Sequence, residues 1–256
     1  MKLDFKVKGA FICVILAALC WIIGDVYLVG FTVDPLDYPL FTDDYVDVLD
    51  PTLATLMLEG TTERLMFGTL IACFSTILFV PGVWLVYQAF LDKQKWYAFA
   101  TYSLLLFSVL LMPLGHAFFF YTGEIHKAIY HLNKSTHSYL IQVAQGFTQL
   151  HVIAWSTAMV VILLAWFVYS ICVFLGKTRL PRWMGGFTPT FIVIYQYIIL
   201  SMFDSSPWVS YLGAAVFNSA YLIFFVVLIF LLSQAKQDVG SKGLSINLFK
   251  TQGYTR

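Results

Sequence analysis

The sequence predicts an all-α fold, a polytopic transmembrane helical bundle with six spans and both termini in the cytoplasm. The first observation behind this prediction is composition. Of the 256 residues, 60% are hydrophobic and only 11% are charged, whereas about 25% of the residues of a typical soluble domain carry a charge. So few charged side chains do not cover a water-facing surface, which indicates that lipid is the main solvent.

The second observation is the number of long apolar stretches. A helix needs about 20 apolar residues to cross roughly 30 Å of hydrocarbon. Six stretches are long enough, and they cover residues 9–31, 65–90, 97–122, 139–175, 184–203 and 208–233. The first has no small-residue cleavage site, so we interpret it as a retained span and not as a signal peptide. The six spans form one domain, residues 1–234, and a cytoplasmic tail follows at 235–256.

The third observation is the distribution of the basic residues. Loops rich in Lys and Arg remain in the cytoplasm. With the amino terminus inside, twelve Lys and Arg residues fall on the cytoplasmic side and three on the outer side. The outer three are Arg64, Lys127 and Lys134. An even number of spans, with both termini inside, follows from this asymmetry.

The outer connection at residues 32–64 is acidic and contains a predicted short surface helix. Asp50 and Pro51 suit the N-cap and first helical position, and Gly60 suits the stop, so the helix is expected at about 51–59. Glu59 would lie at its carboxyl end, where the helix dipole disfavours an anion. Either Arg64 or a ligand then holds this carboxylate, or it is exposed to solvent.

Two ionisable side chains are predicted inside spans, Asp25 in the first and His116 in the third. Such a group costs about 2.5 to 3.5 kcal/mol on insertion scales, so it needs an internal partner or an aqueous cavity. For Asp25 we consider two explanations, a functional carboxylate or a structural pair with Arg64. His126 and His137 are expected to be exposed.

Other polar side chains are predicted to face the outer half of the bundle, and the inner half is almost wholly apolar. At 100° per residue, Glu124 and His131 share a broad face with His116. A stripe of glutamines on the fourth span would hydrogen-bond either a ligand or a neighbouring helix. These groups predict one pocket that opens outward. Its predicted lining is Asp25, Arg64, His116, Glu124, His131, Gln142, Gln145, Gln149, Asp204 and Asn218.

No metal site or cofactor is expected. His116 and His131 are fifteen residues apart, which is about 22 Å along one helix, so they do not reach the same ion unless the helix breaks. The sequence also has no HExxH or GxSxG motif. The expected partners are membrane lipid and a lipid-like small molecule, with no nucleic acid.

Three short motifs carry a family resemblance. The stretch Trp21–Asp25 (WIIGD), the stretch Leu58–Gly68 (LEGTTERLMFG) and the pair Gly115-His116 resemble a family of uncharacterised bacterial six-helix membrane proteins. The resemblance implies a multi-pass protein of the bacterial inner membrane. It implies no activity.

Two functions fit the predicted pocket. The first is an enzyme that acts on a lipid or isoprenoid by general acid–base chemistry, with Asp25, Glu59, His116 and Glu124 as catalytic groups. Arg64, His131, Gln142, Gln145, Gln149, Asp204 and Asn218 would bind its substrate. The second is a transporter or ligand-binding membrane protein that uses the same groups. The apolar inner half favours the enzyme, whereas Pro81 and Pro113, as possible helix breaks, keep the transporter open.

Overall fold

The structure is a computed structural model that describes residues 4–204 and 206–242, with side-chain environments up to residue 231. Within these ranges the chain forms nine α-helices and no β-strand, and the longest connections, residues 30–50 and 175–188, contain short 3₁₀ or π-helical turns. The helices are α1 (Phe5–Val29), α2 (Pro51–Leu58), α3 (Thr62–Ser75), α4 (Val80–Gln88), α5 (Trp96–His131), α6 (His137–Phe174), α7 (Pro189–Leu200), α8 (Pro207–Ala214) and α9 (Val216–Lys242). The predicted all-α fold is confirmed for the described residues.

Four helical units are long and apolar enough to cross a membrane. They are α1, the segment Thr62–Gln88 made of α3 and α4, α5, and α6. The pair α8 and α9 makes a fifth if it is taken as one span, although its two halves meet at an angle of 65°. The described chain therefore has the four to five apolar helices of a multi-pass membrane protein.

The predicted fifth and sixth spans differ from the helices that form. Only Pro189–Leu200 is α-helical in the predicted stretch 184–203, and twelve residues extend about 18 Å. The residue before a proline disfavours the α conformation, and Thr188 is extended, with φ −84° and ψ 162°. The stretch 208–233 is bent because α8 ends at Ala214 and α9 begins at Val216. The tail expected from residue 235 overlaps α9, and residues 243–256 lie outside the described part.

A short 3₁₀ turn at Thr76–Phe79 separates α3 from α4. Pro81 in the first turn of α4 lacks a backbone N–H and disfavours a continuous helix. The indole Nε1 of Trp21 in α1 donates to the carbonyl of Ala72, at 2.8 Å. This bond ties α1 to the end of α3 just before the break.

Helices α1 and α3 cross closely because each has a glycine at the contact. A Cβ atom at Gly68 would lie 2.8 Å from the carbonyl oxygen of Gly24, and a Cβ at Gly24 would lie 3.0 Å from that of Gly68. Only residues without side chains allow two backbones to approach this closely. The crossing sets the position of Asp25, which follows Gly24 directly.

Helices α5 and α6 form a long hairpin that projects beyond the other helices. With 36 and 38 residues, they extend about 54 and 57 Å, well beyond a hydrocarbon core of about 30 Å. The segment 30–61, here called the acidic segment, packs on the projecting part, and we call this end of the bundle the acidic end. The apolar contacts there join Phe41, Leu49, Ala54, Ile129 and Ala144.

The predicted short helix in the acidic segment is α2, Pro51–Leu58. Its N-cap Asp50 accepts hydrogen bonds from the backbone N–H groups of Thr52 and Leu53, at 2.9 and 3.2 Å. At the opposite end of the bundle, here called the basic end, the loops after α4 and α6 are joined by backbone bonds, including Arg179 N–H to the Ala89 carbonyl at 2.8 Å.

Candidate functional site

Three polar side chains from three helices meet inside the bundle. Asp25 of α1 lies with Oδ1 3.1 Å from Nε2 of His116 in α5. The side-chain amide of Asn218 in α9 donates to the other carboxylate oxygen, Oδ2, at 2.5 Å. The His116 side chain is only 7% exposed and that of Asp25 is 17% exposed. These distances and this burial make the three residues the candidate site.

The hydrogen bonds require that Asp25 and His116 hold a proton between them. His116 Nδ1 lies 2.9 Å from the backbone carbonyl of Met112, and a carbonyl oxygen only accepts, so Nδ1 carries a hydrogen. The 3.1 Å contact between Nε2 and Oδ1 then needs a second proton on one of these two atoms. The pair is thus an imidazolium with a carboxylate, or an imidazole with a carboxylic acid. Either form can give up this proton.

Local packing fixes the orientation of the pair. The ring of Trp21, one helical turn from Asp25, packs against His116 with ring centroids 5.1 Å apart. Trp21 is itself held by its bond to Ala72 and by contact with Phe79, at 4.4 Å between centroids. Asn218 lies in the first turn of α9, directly after the bend that separates it from α8. The histidine therefore has its ring packed at a tilt of 52° against the indole of Trp21 and one nitrogen toward the carboxylate.

A small cavity of about 40 Å³ lies beside the three residues. A water molecule needs about 10 to 15 Å³, so there is room for roughly three or four groups of that size. Trp155 in the cavity wall is 38% exposed, so this wall also faces the outside of the bundle. The lining residues are Trp21, Asp25, Met112, His116, Trp155, Met159, Ile162, Phe217, Asn218 and Tyr221.

Arg64 was predicted to bind substrate or to pair with a carboxylate, and it contacts neither Asp25 nor Glu59. Its Nη2 donates to the backbone carbonyl of Val26 at 2.9 Å and to that of Gly30 at 3.4 Å. Its guanidinium lies 4.0 Å from the ring centroid of Phe31. These carbonyls belong to the last turn of α1 and its cap, where a cation is favoured by the helix dipole.

Glu59 and Glu124, both predicted as catalytic, lie away from the pair with partners of their own. Glu59 accepts a hydrogen bond from the hydroxyl of Tyr38 at 2.8 Å. Burial, together with this carboxylate, raises the pKa of Tyr38 to about 12. Glu124 accepts from Thr62 at 2.9 Å and forms an ion pair with Lys127 at 2.8 Å. Both carboxylates join surface elements at the acidic end.

The remaining predicted binding residues are exposed and dispersed. His131, Gln142, Gln145, Gln149 and Asp204 are all exposed. Gln145 donates to the backbone carbonyl of Val48 at 3.0 Å. The one large pocket expected from the sequence is therefore divided: Asp25, His116 and Asn218 meet in the interior, whereas the glutamines lie on the surface of α6. No three His, Cys, Asp or Glu side chains cluster as metal ligands would in the described part of the chain.

Two histidines that were expected to be exposed are buried. His126 is 1% exposed and packs edge-on against Phe41. His137 is 4% exposed, and its Nδ1 lies 2.6 Å from the Tyr45 hydroxyl. The prediction was wrong because it assigned both residues to solvent without the acidic segment that covers them. For His126 a signal was present, since Thr122 and Ile129 share its face of α5 at helical spacing and are also buried.

A comparison with protein families assigns the chain to one of them. The model of DUF6796, a family of unknown function, matches residues 1–235. The comparisons with curated proteins and with solved structures return no match. The match agrees with the resemblance of the sequence to an uncharacterised family. The chain therefore belongs to the DUF6796 family, whose function is unknown.

Proposed function

We propose that this protein is a membrane enzyme that transfers a proton to or from a lipid or isoprenoid substrate, with Asp25 and His116 as its acid–base pair. The observation that carries the proposal is the 3.1 Å contact between His116, which is buried, and Asp25, which is partly buried, in the wall of a cavity; this contact requires a proton between the two side chains. A buried carboxylate inside a membrane bundle is expensive and is by default a functional candidate. Asn218 holds the second carboxylate oxygen and thereby orients the first.

The form of the cavity supports a lipid-like substrate whose reacting end is uncharged. At about 40 Å³ it accepts only a small terminal group, so the rest of the molecule would remain in the bilayer beyond Trp155. Trp21, Phe217 and Tyr221 surround the space, and aromatic faces stabilise positive charge that develops on an apolar substrate. The pair then donates its proton to the substrate or accepts one from it, and Nδ1 stays bound to Met112 throughout.

The proposal is narrower than the sequence-based hypothesis in its catalytic residues. It retains Asp25 and His116 and leaves out Glu59 and Glu124, because these two carboxylates have partners at the acidic end. Asn218 becomes the orienting group.

We also propose the topology that the basic residues favour, with six crossings and both termini in the cytoplasm. The 3₁₀ turn at Arg182–Phe187 together with α7 would form the fifth crossing, and the bent pair α8 and α9 the sixth. Lys93, Lys177 and Arg179 lie at the basic end, which would face the cytoplasm. The acidic segment would then lie outside, on the periplasmic side of a bacterial inner membrane.

A proton-coupled transporter or ligand-binding protein is the second candidate, and the two interrupted helices favour it. The 3₁₀ break at Thr76–Phe79 places Phe79 against Trp21, and the 65° bend between α8 and α9 comes two residues before Phe217. Transporters often bind their substrates at such breaks. In that case the same proton would move with a solute and would not be transferred to it.

The test compares the lipids of bacterial cells that express the wild type, Asp25→Asn or His116→Gln. The matched controls are Asp44→Asn and His131→Gln, which change an exposed residue of the same type. If the protein is an enzyme, at least one lipid species should have the same mass and abundance in the wild type and both controls. The same species should differ in mass or abundance in both site variants. Identical lipid profiles in all five strains, with solute-dependent proton flux in proteoliposomes that requires Asp25, would replace the enzyme with the transporter.

A further inference from the structure

A second cavity, separate from the Asp25 site, lies at the acidic end of the bundle. It is a groove between the acidic segment and α6. Val48 and Asp50 form part of one wall, and Gln145, Gln149 and Val152 form part of the other. The amide of Gln145 donates to the Val48 carbonyl at 3.0 Å, so the two walls are tied together. The groove is therefore a built feature of this surface.

The groove changes from polar to apolar along α6. The amide of Gln149 makes no hydrogen bond within the described part of the chain and is exposed. One turn further along, Val152 and Ile153 are 54% and 55% exposed. Gln145 and Ile153 are eight residues apart, which is about 12 Å along the helix. This gradient matches the change from headgroup to acyl chain at one face of a bilayer.

The charge of the groove's surroundings selects the kind of headgroup. The acidic segment contains seven Asp and Glu residues and no Lys or Arg. Asp50 caps α2 through Oδ1, and its Oδ2 makes no hydrogen bond within the described residues. This surface already accepts an ammonium group, since Lys134 Nζ lies 3.2 Å from Asp44 Oδ2. An anionic headgroup would be repelled here, and a headgroup that ends in an amine would be attracted.

We propose that this groove binds a phospholipid whose headgroup ends in a primary amine, such as phosphatidylethanolamine, from the adjacent leaflet. The ammonium group binds Asp50 Oδ2, the amide of Gln149 binds the phosphate or the glycerol esters, and one acyl chain lies along Val152 and Ile153. The proposal does not depend on the acid–base function of Asp25 and His116, because the two cavities share no lining residue.

The test is native mass spectrometry of the full-length protein, purified in detergent and mixed with equal amounts of phosphatidylethanolamine and phosphatidylglycerol with identical acyl chains. The wild type is expected to retain phosphatidylethanolamine in preference. Asp50→Ser removes the charge but keeps a good N-cap, and it should lower this preference by up to about fivefold, as for loss of an exposed ion pair. Gln149→Leu should reduce the retention of both lipids.

The matched control is Asp34→Ser. Asp34 also caps a turn that begins with proline, accepting from the backbone N–H of Leu36 at 3.0 Å, and it does not line the groove. The Asp34→Ser protein should retain the wild-type preference for phosphatidylethanolamine. Equal retention of the two lipids by the wild type, an unchanged preference in Asp50→Ser, or an equal loss in Asp34→Ser would each overturn the proposal. Gln149→Leu keeps the test decisive if Asp50→Ser does not fold.

Discussion

The close crossing of α1 and α3 predicts that Gly68→Ala is strongly destabilising and disturbs the candidate site. The new Cβ would lie 2.8 Å from the Gly24 carbonyl oxygen and 3.0 Å from Tyr27 Cβ, whereas ordinary contact begins at 3.4 Å. The helices must therefore separate by the difference, about 0.6 Å, because backbone atoms and a Cβ do not rotate away. Such overpacking costs about 1 to 3 kcal/mol. Any part of this shift that α1 takes up moves Asp25, the neighbour of Gly24, relative to His116, and their contact is 3.1 Å in the wild type.

The assay is unfolding of the purified protein in mixtures of mild detergent and sodium dodecyl sulfate, followed by circular dichroism. Gly146→Ala is the matched control, since a Cβ at this α6 glycine meets nothing within 4 Å. The control should gain stability, by up to about 1 kcal/mol, because alanine favours helix over glycine. If Gly68→Ala and Gly146→Ala had the same free energy of unfolding, the close crossing and its role in placing Asp25 would be refuted.

Three further predictions concern the contacts around the site and the acidic end. Thr122→Val should stabilise the protein by about 1 kcal/mol in the same unfolding assay, because the Thr122 hydroxyl is buried without a partner among the described residues. A loss of stability in this variant would contradict the prediction. Arg64→Lys should lower the free energy of unfolding by about 1 kcal/mol, because an ammonium does not stack on Phe31 while it binds the carbonyls of α1. Equal stability of the two proteins would argue against Arg64 as the cap of α1. Tyr38→Phe removes the bond to Glu59. Since the pKa of Tyr38 is raised from 10 to about 12, its stabilising contribution is full below pH 10 and is lost as the pH rises through 12. The stability difference between wild type and Tyr38→Phe should therefore shrink over that range, and a difference independent of pH would be contrary to it.

The elements that follow local rules were predictable from the sequence. Asp50 and Pro51 indicated the start of α2, and hydropathy indicated the long helices α1, α5 and α6. These features depend on caps and on periodicity within a few turns. The short α7 and the bend at Ala215 were not predicted, because hydropathy averaged over the stretches 184–203 and 208–233 does not register a break. For α7, the pair Thr188–Pro189 was a signal that hydropathy leaves out.

The candidate site was predictable only in part. Asp25, His116 and Asn218 were recognised as polar groups in apolar helices, which is a local property of the sequence. They were predicted to line one pocket together with seven other residues, but their direct hydrogen bonds were not predicted, because helical facing gives no information about the partner helix. Arg64 shows the same limit. Its charge suggested a carboxylate partner, but Arg64 binds the backbone carbonyls at the end of α1. Which backbone carbonyls are left without a helical partner depends on where α1 ends in the fold, and this cannot be read from the side chains.

The proposed function requires that Asp25 and His116 hold a proton between them inside the bundle. The most direct test is solid-state nitrogen NMR of histidine-labelled protein in lipid, with His116→Gln to assign the signal and Asp25→Asn as the variant. We predict that Nδ1 is protonated in both wild type and Asp25→Asn, because it donates to the Met112 carbonyl. The chemical shift of Nε2 should indicate a proton shared with a carboxylate in the wild type. In Asp25→Asn it should indicate a neutral nitrogen that carries no proton. Identical Nε2 signals, or an unprotonated Nδ1 in the wild type, would contradict the claim.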